Sequence, residues 1–203
     1  MERRARGPGV HHEARRTEIA DAVLAIVAER GLPAVSLTEV AAQAGVSAGR
    51  VQHYFPTKQK LIEAAFDRGN ELSSARVRAR VGDDLDRAEP RAVLTVVLTE
   101  LIGYDSETRT HMRVRQSFTA LALADEGIAE RMRAEYTRFH RQVAGLVRED
   151  QDAGAIRVAA ASEHVAVDLV ALAEGLAYYV LIGLTSAETA RDRVLAAVAE
   201  LYS

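Results

Sequence analysis

The residues best suited to chemistry in this chain fall within one short segment. The guanidinium fork of Arg50 matches O6 and N7 of guanine, and the amide of Gln52 matches adenine or a phosphate. His53 can contact a phosphate or a base, while the small residues Ala48 and Gly49 let the backbone approach a nucleic acid closely. Together these side chains predict a surface that reads base edges in the major groove of DNA.

Two short helices must position these side chains. Ser36 and Glu39 have the spacing of a capping box, in which the serine accepts the Glu39 amide and the glutamate reaches back. Gly45 permits a tight turn after this first helix, and Ser47 is suited to cap a second helix that ends near Tyr54. Ser47 is also expected to belong to the surface that binds DNA. Two helices of about two turns each, joined in this way, predict a helix-turn-helix. Without these two helices the same polar residues would form an ordinary solvated surface.

The rest of the chain has the apolar spacing of three and four residues that is typical of helices, and no segment alternates as a strand would. Helices are predicted near 12–30, 58–82, 90–103, 109–124, 126–152, 162–184 and 187–202. We therefore expect an all-α fold with two domains. Residues 1–60 would form an N-terminal arm and a three-helix helix-turn-helix domain that binds DNA. Residues 61–203 would form a helical domain for ligand binding and dimerisation.

Charge is unevenly distributed along the chain. Residues 1–60 hold nine Arg and Lys against six Asp and Glu, whereas residues 61–203 hold 17 against 23. A mildly basic segment followed by an acidic body fits a small DNA-reading module joined to a larger domain, although a chance fluctuation fits equally well. Arg3, Arg4 and Arg6 are either an arm that enters the minor groove or a disordered tail.

Enzyme chemistry is not indicated by any motif in the chain. The sequence has no nucleophile elbow, no glycine-rich phosphate loop and no His-Glu-x-x-His pair for a metal. It has no cysteine, which excludes disulfides and thiolate metal sites. The adjacent His11 and His12 fit a solvated terminus better than a metal site, and the basic start lacks the apolar stretch of a secretory signal. We therefore expect no catalytic residue, no cofactor and no metal, in a cytoplasmic protein.

The segment from Arg16 to Phe66 resembles the DNA-binding domain of the TetR (tetracycline-repressor-like) family. The residues that carry the resemblance fall in order at fixed offsets: Ser36, Leu37, Thr38, Glu39, Val40, Ala41, Ala44, Gly45, Val46, Ser47, Gly49, Arg50, His53, Tyr54, Phe55, Lys58 and Leu61. This resemblance implies a transcriptional regulator that binds a double-stranded DNA operator.

The TetR resemblance also implies which residues hold the DNA backbone. Phosphate contacts are expected from Ser36, Thr38, Tyr54 and Lys58. Helix N-termini favour such contacts because they present free amides and a positive dipole end. Gln52 departs from the family, which usually has tyrosine at this position, and we expect the departure to change the sequence preference rather than the fold.

The helix predicted near 162–184 is apolar on nearly all sides and is interrupted only by Asp168, Glu174 and Gly175. Such a helix must be buried in protein or lie in a membrane. The acidic residues and the lack of a basic flank disfavour a membrane span, so we expect no membrane partner. The alternative is a homodimer in which this helix and the helix near 187–202 form a four-helix bundle across a two-fold axis. The TetR resemblance implies the same dimer. In a two-fold dimer the two recognition helices must meet half-sites about 34–36 Å apart, or a multiple of that distance.

A ligand pocket needs an apolar cavity with a few polar groups. The candidates are His111, Arg115, Tyr136, His140, Glu174 and Tyr178. Each of them also fits a satisfied polar group or a subunit contact. Glu174 is the most suggestive, because a carboxylate among apolar residues is costly unless it is paired with a cationic ligand or with an arginine across the dimer.

The sequence around Glu174 and the helix that begins at Ser186 are similar to the C-terminal domain of the choline-responsive repressors of this family, which does not by itself identify choline as the ligand. A ligand would shift the angle of the helix near 58–82, change the distance between the recognition helices and release a palindromic operator. A helical assembly protein without DNA specificity is the remaining alternative.

Overall fold

A computed structural model describes residues 8–82 and 88–203. Within these ranges the chain forms no strand, and its α-helices are α1 Pro8–Arg30, α2 Leu37–Gln43, α3 Ala48–Tyr54, α4 Lys58–Val81, α5 Pro90–Glu100, α6 Ser106–Ala122, α7 Glu126–Asp152, α8 Ser162–Leu181 and α9 Ala187–Glu200. The predicted all-α fold is confirmed. Arg3, Arg4 and Arg6, the expected arm, lie outside the described residues.

Two helices begin earlier than their sequence pattern predicts. α1 begins at Pro8 rather than His12, because proline fits the first turn of a helix, where its missing N–H would have no partner. α6 begins at Ser106 rather than near position 109. Asp105 accepts the Thr108 amide at 2.8 Å, and the Thr108 hydroxyl accepts the Asp105 amide at 3.1 Å. This capping box has threonine where glutamate or glutamine is usual.

The capping box predicted at the start of α2 is only half formed. Ser36 Oγ accepts the Glu39 amide at 3.2 Å, as predicted. The Glu39 carboxylate does not reach back to Ser36 but accepts from Arg30 of α1 at 2.5 Å. A charged partner on the neighbouring helix has replaced the backbone amide, and the pair now fastens α2 to the end of α1.

The N-terminal helices share one hydrophobic core with the helices that follow them. Ile26 of α1, Val40 of α2 and Val51 of α3 are fully buried in this core. It continues into α4 and α6, where the rings of Phe66 and Phe118 stack with centroids 4.2 Å apart. The domain boundary predicted at residue 60 therefore falls inside a continuous core, and α4 and α6 hold the short helices in place.

A second core joins α5, α7, α8 and α9. By length and composition α8 could cross a membrane, yet it packs against α7 and α9 through small side chains such as Ala173 and Ala177, which are fully buried. Its other side, together with the turn that follows, exposes larger apolar side chains: Val167, Leu172, Tyr178, Tyr179, Ile182 and Leu184. The helix that is apolar all round thus has one buried face and one uncovered face.

Candidate DNA interface and ligand cavity

α3 presents polar side chains to solvent and is anchored from beneath by apolar ones. Val51 is fully buried, and Phe55, which follows the helix, is nearly so. Ser47 fixes the helix start, because its Oγ accepts the Arg50 amide at 3.2 Å. The predicted base-reading residues are all exposed: Ala48, Gly49, Arg50, Gln52 and His53. The structure therefore gathers them on the outer surface of one short, firmly held helix.

The predicted phosphate contacts flank α3 on both sides. Ser36 and Thr38 are exposed at the start of α2, and Lys58 is the exposed first residue of α4. Tyr54 is half-buried, with its ring centroid 4.8 Å from that of His12 on α1. This arrangement leaves hydroxyls and an ammonium group around the rim of the α3 surface, where a DNA backbone would run.

The residue that secures the end of α3 could not be found from the sequence. Arg16 of α1 donates from Nη1 to the Tyr54 carbonyl at 3.3 Å, and its guanidinium lies 4.5 Å from the centre of the Phe55 ring. The last carbonyls of a helix have no amide partners and carry partial negative charge, so a cation suits this end. Because Arg16 and Tyr54 are 38 residues apart, no local spacing indicates the contact.

A cavity of about 160 Å³ lies between α4, α6 and α7, and three of the predicted ligand residues line it: His111, Arg115 and Tyr136. The His111 Nε2 lies 3.2 Å from Asn70 Oδ1 on α4. Burial, together with the positive charges of Arg115 and Arg76, lowers the pKa of His111 to about 3. The imidazole is therefore neutral at ordinary pH and donates to the asparagine.

Glu174 finds its partner within the same chain, which corrects the expectation of a ligand cation or an arginine across a dimer. Arg115 of α6 forms an ion pair with Glu174 of α8. The Tyr136 hydroxyl of α7 accepts from Arg115 Nη2 and donates to Glu174 Oε2, each at 2.9 Å. Three packed helices thus bring a cation and a hydroxyl to a partly buried carboxylate, so the charge of Glu174 is paired within the chain.

The last two predicted ligand residues lie away from the cavity lining. His140 is on α7 next to Tyr136, with ring centroids 5.9 Å apart. Tyr178 is 47% exposed on the uncovered face of α8, beside Tyr179. Helical spacing placed each correctly relative to its neighbour one turn away, but it could not show which face of the helix meets the cavity.

Two family models match the chain. Residues 19–65 match the model described as bacterial regulatory proteins, tetR family. Residues 90–203 match the model described as BetI-type transcriptional repressor, C-terminal. The resemblance inferred from the helix-turn-helix residues is confirmed, and the match extends over the C-terminal half.

Individual proteins agree with these matches. The chain is 31% identical to the HTH-type transcriptional regulator BetI of Burkholderia cenocepacia, over 81% of this chain and 80% of that protein. A TetR-family transcriptional regulator from Rhodococcus sp. superposes with a TM-score of 0.77 at 27% identity, covering 94% of this chain and 100% of that one. A transcriptional regulator from Saccharomonospora viridis, solved in complex with choline, superposes with a TM-score of 0.75 at 25% identity, covering 90% and 93%.

Proposed function

Because this chain belongs to the TetR family and is a ligand-responsive, DNA-binding transcriptional regulator, we propose that it is a homodimeric repressor that a small molecule releases from a palindromic operator. The observation that carries this proposal is α3, whose exposed polar side chains stand on a buried apolar anchor. We infer that the protein acts in the cytoplasm, where bacterial DNA is found.

We assign base reading to the exposed side of α3. Arg50 would donate two of its guanidinium N–H groups to O6 and N7 of a guanine, and Gln52 would form a similar pair of hydrogen bonds with an adenine. Ala48, Gly49 and His53 would allow or add close contacts. The phosphates would be held by Ser36, Thr38, Tyr54 and Lys58.

We propose that two copies associate through α8 and α9. Exposed apolar patches that are larger than scattered single residues mark interaction surfaces, and the uncovered face of α8 is such a patch. Ala171 and Gly175 are exposed on α8, and a β-carbon at Gly175 would have no atom within 4 Å. Small side chains of this kind let a partner helix approach closely. A two-fold bundle of α8 and α9 would then set two α3 helices for a palindrome.

We propose that the effector occupies the cavity between α4, α6 and α7, where His111, Arg115 and Tyr136 supply the polar contacts. α4 begins directly after the DNA-binding helices and lines the cavity with Phe66 and Asn70. A ligand that prefers a different position of α4 would change the spacing of the two α3 helices. The affinity for the operator would then fall. The size of the decrease is set by how much more tightly the ligand binds the protein with α4 in the altered position.

The proposal is tested by selecting duplexes from a random DNA library with the purified full chain. We expect enrichment of a palindromic site and, by light scattering, a dimer that binds it. An Arg50→Ala, Gln52→Ala double variant serves as the control and should enrich no such site. A wild-type chain that enriches no palindrome at moderate salt would instead be a helical assembly protein without DNA specificity.

A further inference from the structure

The cavity of about 160 Å³ between α4, α6 and α7 is lined by a buried arginine, Arg115. We propose that the ligand of this cavity is an anion, namely a small carboxylate with an aromatic body. The inference rests on the proposed function, because it names the chemical class of the effector that this site would bind. It excludes a cationic effector for this chain.

Arg115 presents a positive charge to the inside of the cavity. Its side chain is only 11% exposed, and it belongs to the cavity lining. Its counter-ion, Glu174, is not among the described residues that line the cavity. A molecule inside therefore meets the guanidinium rather than the carboxylate. The attraction between this cation and a bound anion is stronger here than at the protein surface, because less water screens it.

Two nitrogens of the Arg115 guanidinium are available to a ligand. Nη2 makes the contacts with both the Tyr136 hydroxyl and Glu174. Within residues 8–82 and 88–203 no acceptor bonds to Nε or Nη1, and neither atom is fully enclosed by protein. Because N–H donors inside proteins are nearly always paired, an oxygen acceptor in the cavity would complete the guanidinium. A carboxylate does so best, since hydrogen bonds that involve ions are about twice as strong as neutral ones.

The imidazole of His111 shows the sign of the electrostatic potential at the same wall. It lines the cavity one helical turn before Arg115 on α6. Its pKa is lowered by burial and by the charges of Arg115 and Arg76, and both of these charges are positive. The potential that disfavours a proton on His111 also disfavours a bound cation, and it favours a bound anion.

The remaining lining residues suit the aromatic body of such a ligand. Phe66, Tyr136 and Phe139 contribute ring surface from α4 and α7. Aromatic rings pack against one another in offset or edge-to-face arrangements, which stabilises a ring between them. The carboxylate that does line the cavity, Glu135, is paired with Arg138 on the next turn of α7. Its negative charge is therefore balanced, and the charge of Arg115 decides which ligand binds.

The test uses three probes that share a benzyl group and differ in charge: phenylacetate, 2-phenylacetamide and benzyltrimethylammonium. Each is titrated into the purified full chain by calorimetry at neutral pH. We expect phenylacetate to bind at least tenfold more tightly than the neutral amide, and the cation to bind no better than the amide. The affinity for the selected palindrome is then measured with and without saturating phenylacetate, which should weaken DNA binding.

Three variants locate the site. An Arg115→Gln, Glu174→Gln double variant removes the ion pair as a whole, so that no unpaired charge stays buried, and should bind phenylacetate and the amide equally. An Arg148→Gln, Glu163→Gln double variant removes an exposed ion pair between α7 and α8 and should bind like the wild type. Gln142→Glu adds a carboxylate to the cavity lining at an exposed residue and should weaken phenylacetate binding at least threefold. Melting curves show whether each variant is folded, and Gln142→Glu decides alone if the first variant is not.

The outcomes separate the ligand class from the proposed function. The anion site is overturned if phenylacetate does not bind, if the amide or the cation binds as tightly, or if the folded Arg115→Gln, Glu174→Gln variant keeps the preference for phenylacetate. Phenylacetate binding that leaves DNA affinity unchanged would overturn the role of the anion as an effector. If the chain binds no duplex even without a probe, the proposed function fails, while calorimetry still decides whether the cavity takes a carboxylate.

Discussion

The imidazole of His111 on α6 lies so close to Gly69 on α4 that a β-carbon added to the glycine would overlap the ring. The glycine thus permits the contact between these two helices, and His111 also lines the cavity between α4, α6 and α7.

Gly69→Ala should lower the free energy of unfolding by about 1–3 kcal/mol, because the new methyl group overpacks the contact with His111. Gly145→Ala is the matched control. It lies in the exposed part of α7, where a β-carbon would have no atom within 4 Å. Since alanine is the better helix former, this control should gain up to about 1 kcal/mol. Urea denaturation measures both, and equal effects would show that the contact is not tight.

Arg50→Ala should cost about 1–3 kcal/mol on the selected DNA site and relax the preference at one base position. The reason is the loss of a two-pronged contact with a guanine. Arg141→Ala removes an exposed arginine from α7 and should leave binding unchanged. Fluorescence anisotropy with the site and with single-base variants makes the comparison. If the Arg50→Ala variant still discriminates between bases at every position of the site, Arg50 is not a base-reading residue.

Lys58→Ala should weaken binding by a similar factor on every duplex, because a phosphate contact carries no sequence information. The slope of log affinity against log salt concentration should become shallower by about one. A salt titration on two unrelated duplexes checks both points. An effect confined to the selected site would instead make Lys58 a base contact.

Glu174→Gln should lower the free energy of unfolding by about 1–3 kcal/mol, since it leaves the Arg115 guanidinium without its anion in a partly buried place. The proposed dimer should persist, because the ion pair lies within one chain. Glu130→Gln, an exposed residue of α7, is the control and should change neither property. Dissociation of the Glu174 variant at unchanged stability would place this carboxylate in the subunit contact.

His111 should make the protein less stable as the pH falls. Burial holds the pKa of the folded imidazole at about 3, whereas the unfolded chain titrates near 6.5. Below about pH 6.5 the unfolded state takes up a proton that the folded state does not, so stability falls by up to about 1.4 kcal/mol per pH unit. Between pH 6.5 and 5, His111→Gln should flatten this dependence, and His164→Gln, at an exposed position, should not. If the wild type and His111→Gln lose stability in parallel as the pH falls, the His111 imidazole is hydrated in the folded protein.

The helix-turn-helix was predictable because its signals are local. Ser36 and Ser47 cap the helices that follow them, and the small residue Gly45 marks the turn, all within a dozen positions. The contacts that position the site were not predictable, since they join distant parts of the chain. Arg16 bonds the Tyr54 carbonyl across 38 residues, and no spacing signals such a partner.

The predicted ligand residues show the same contrast between local signals and distant contacts. Periodicity correctly placed Arg115, Tyr136 and Glu174 inside a helical body, but which of them would meet depended on the packing of α6, α7 and α8. Tyr178 shares its helix with Glu174 but faces outward. A single sequence gives the angular position of a side chain on its own helix, whereas the neighbour across the interface is fixed only by the fold.

The stacked rings of Phe66 and Phe118 also limit how this protein can be engineered. In a chimera that joins residues 1–60 to a foreign ligand-binding domain, Val51 and its neighbours would lose the core residues that α4 and α6 supply, Phe66 and Phe118 among them. A DNA-binding domain that is to be transferred to another protein must therefore include both α4 and α6. Exchange of operator preference is better pursued by replacing side chains on α3 than by swapping whole modules.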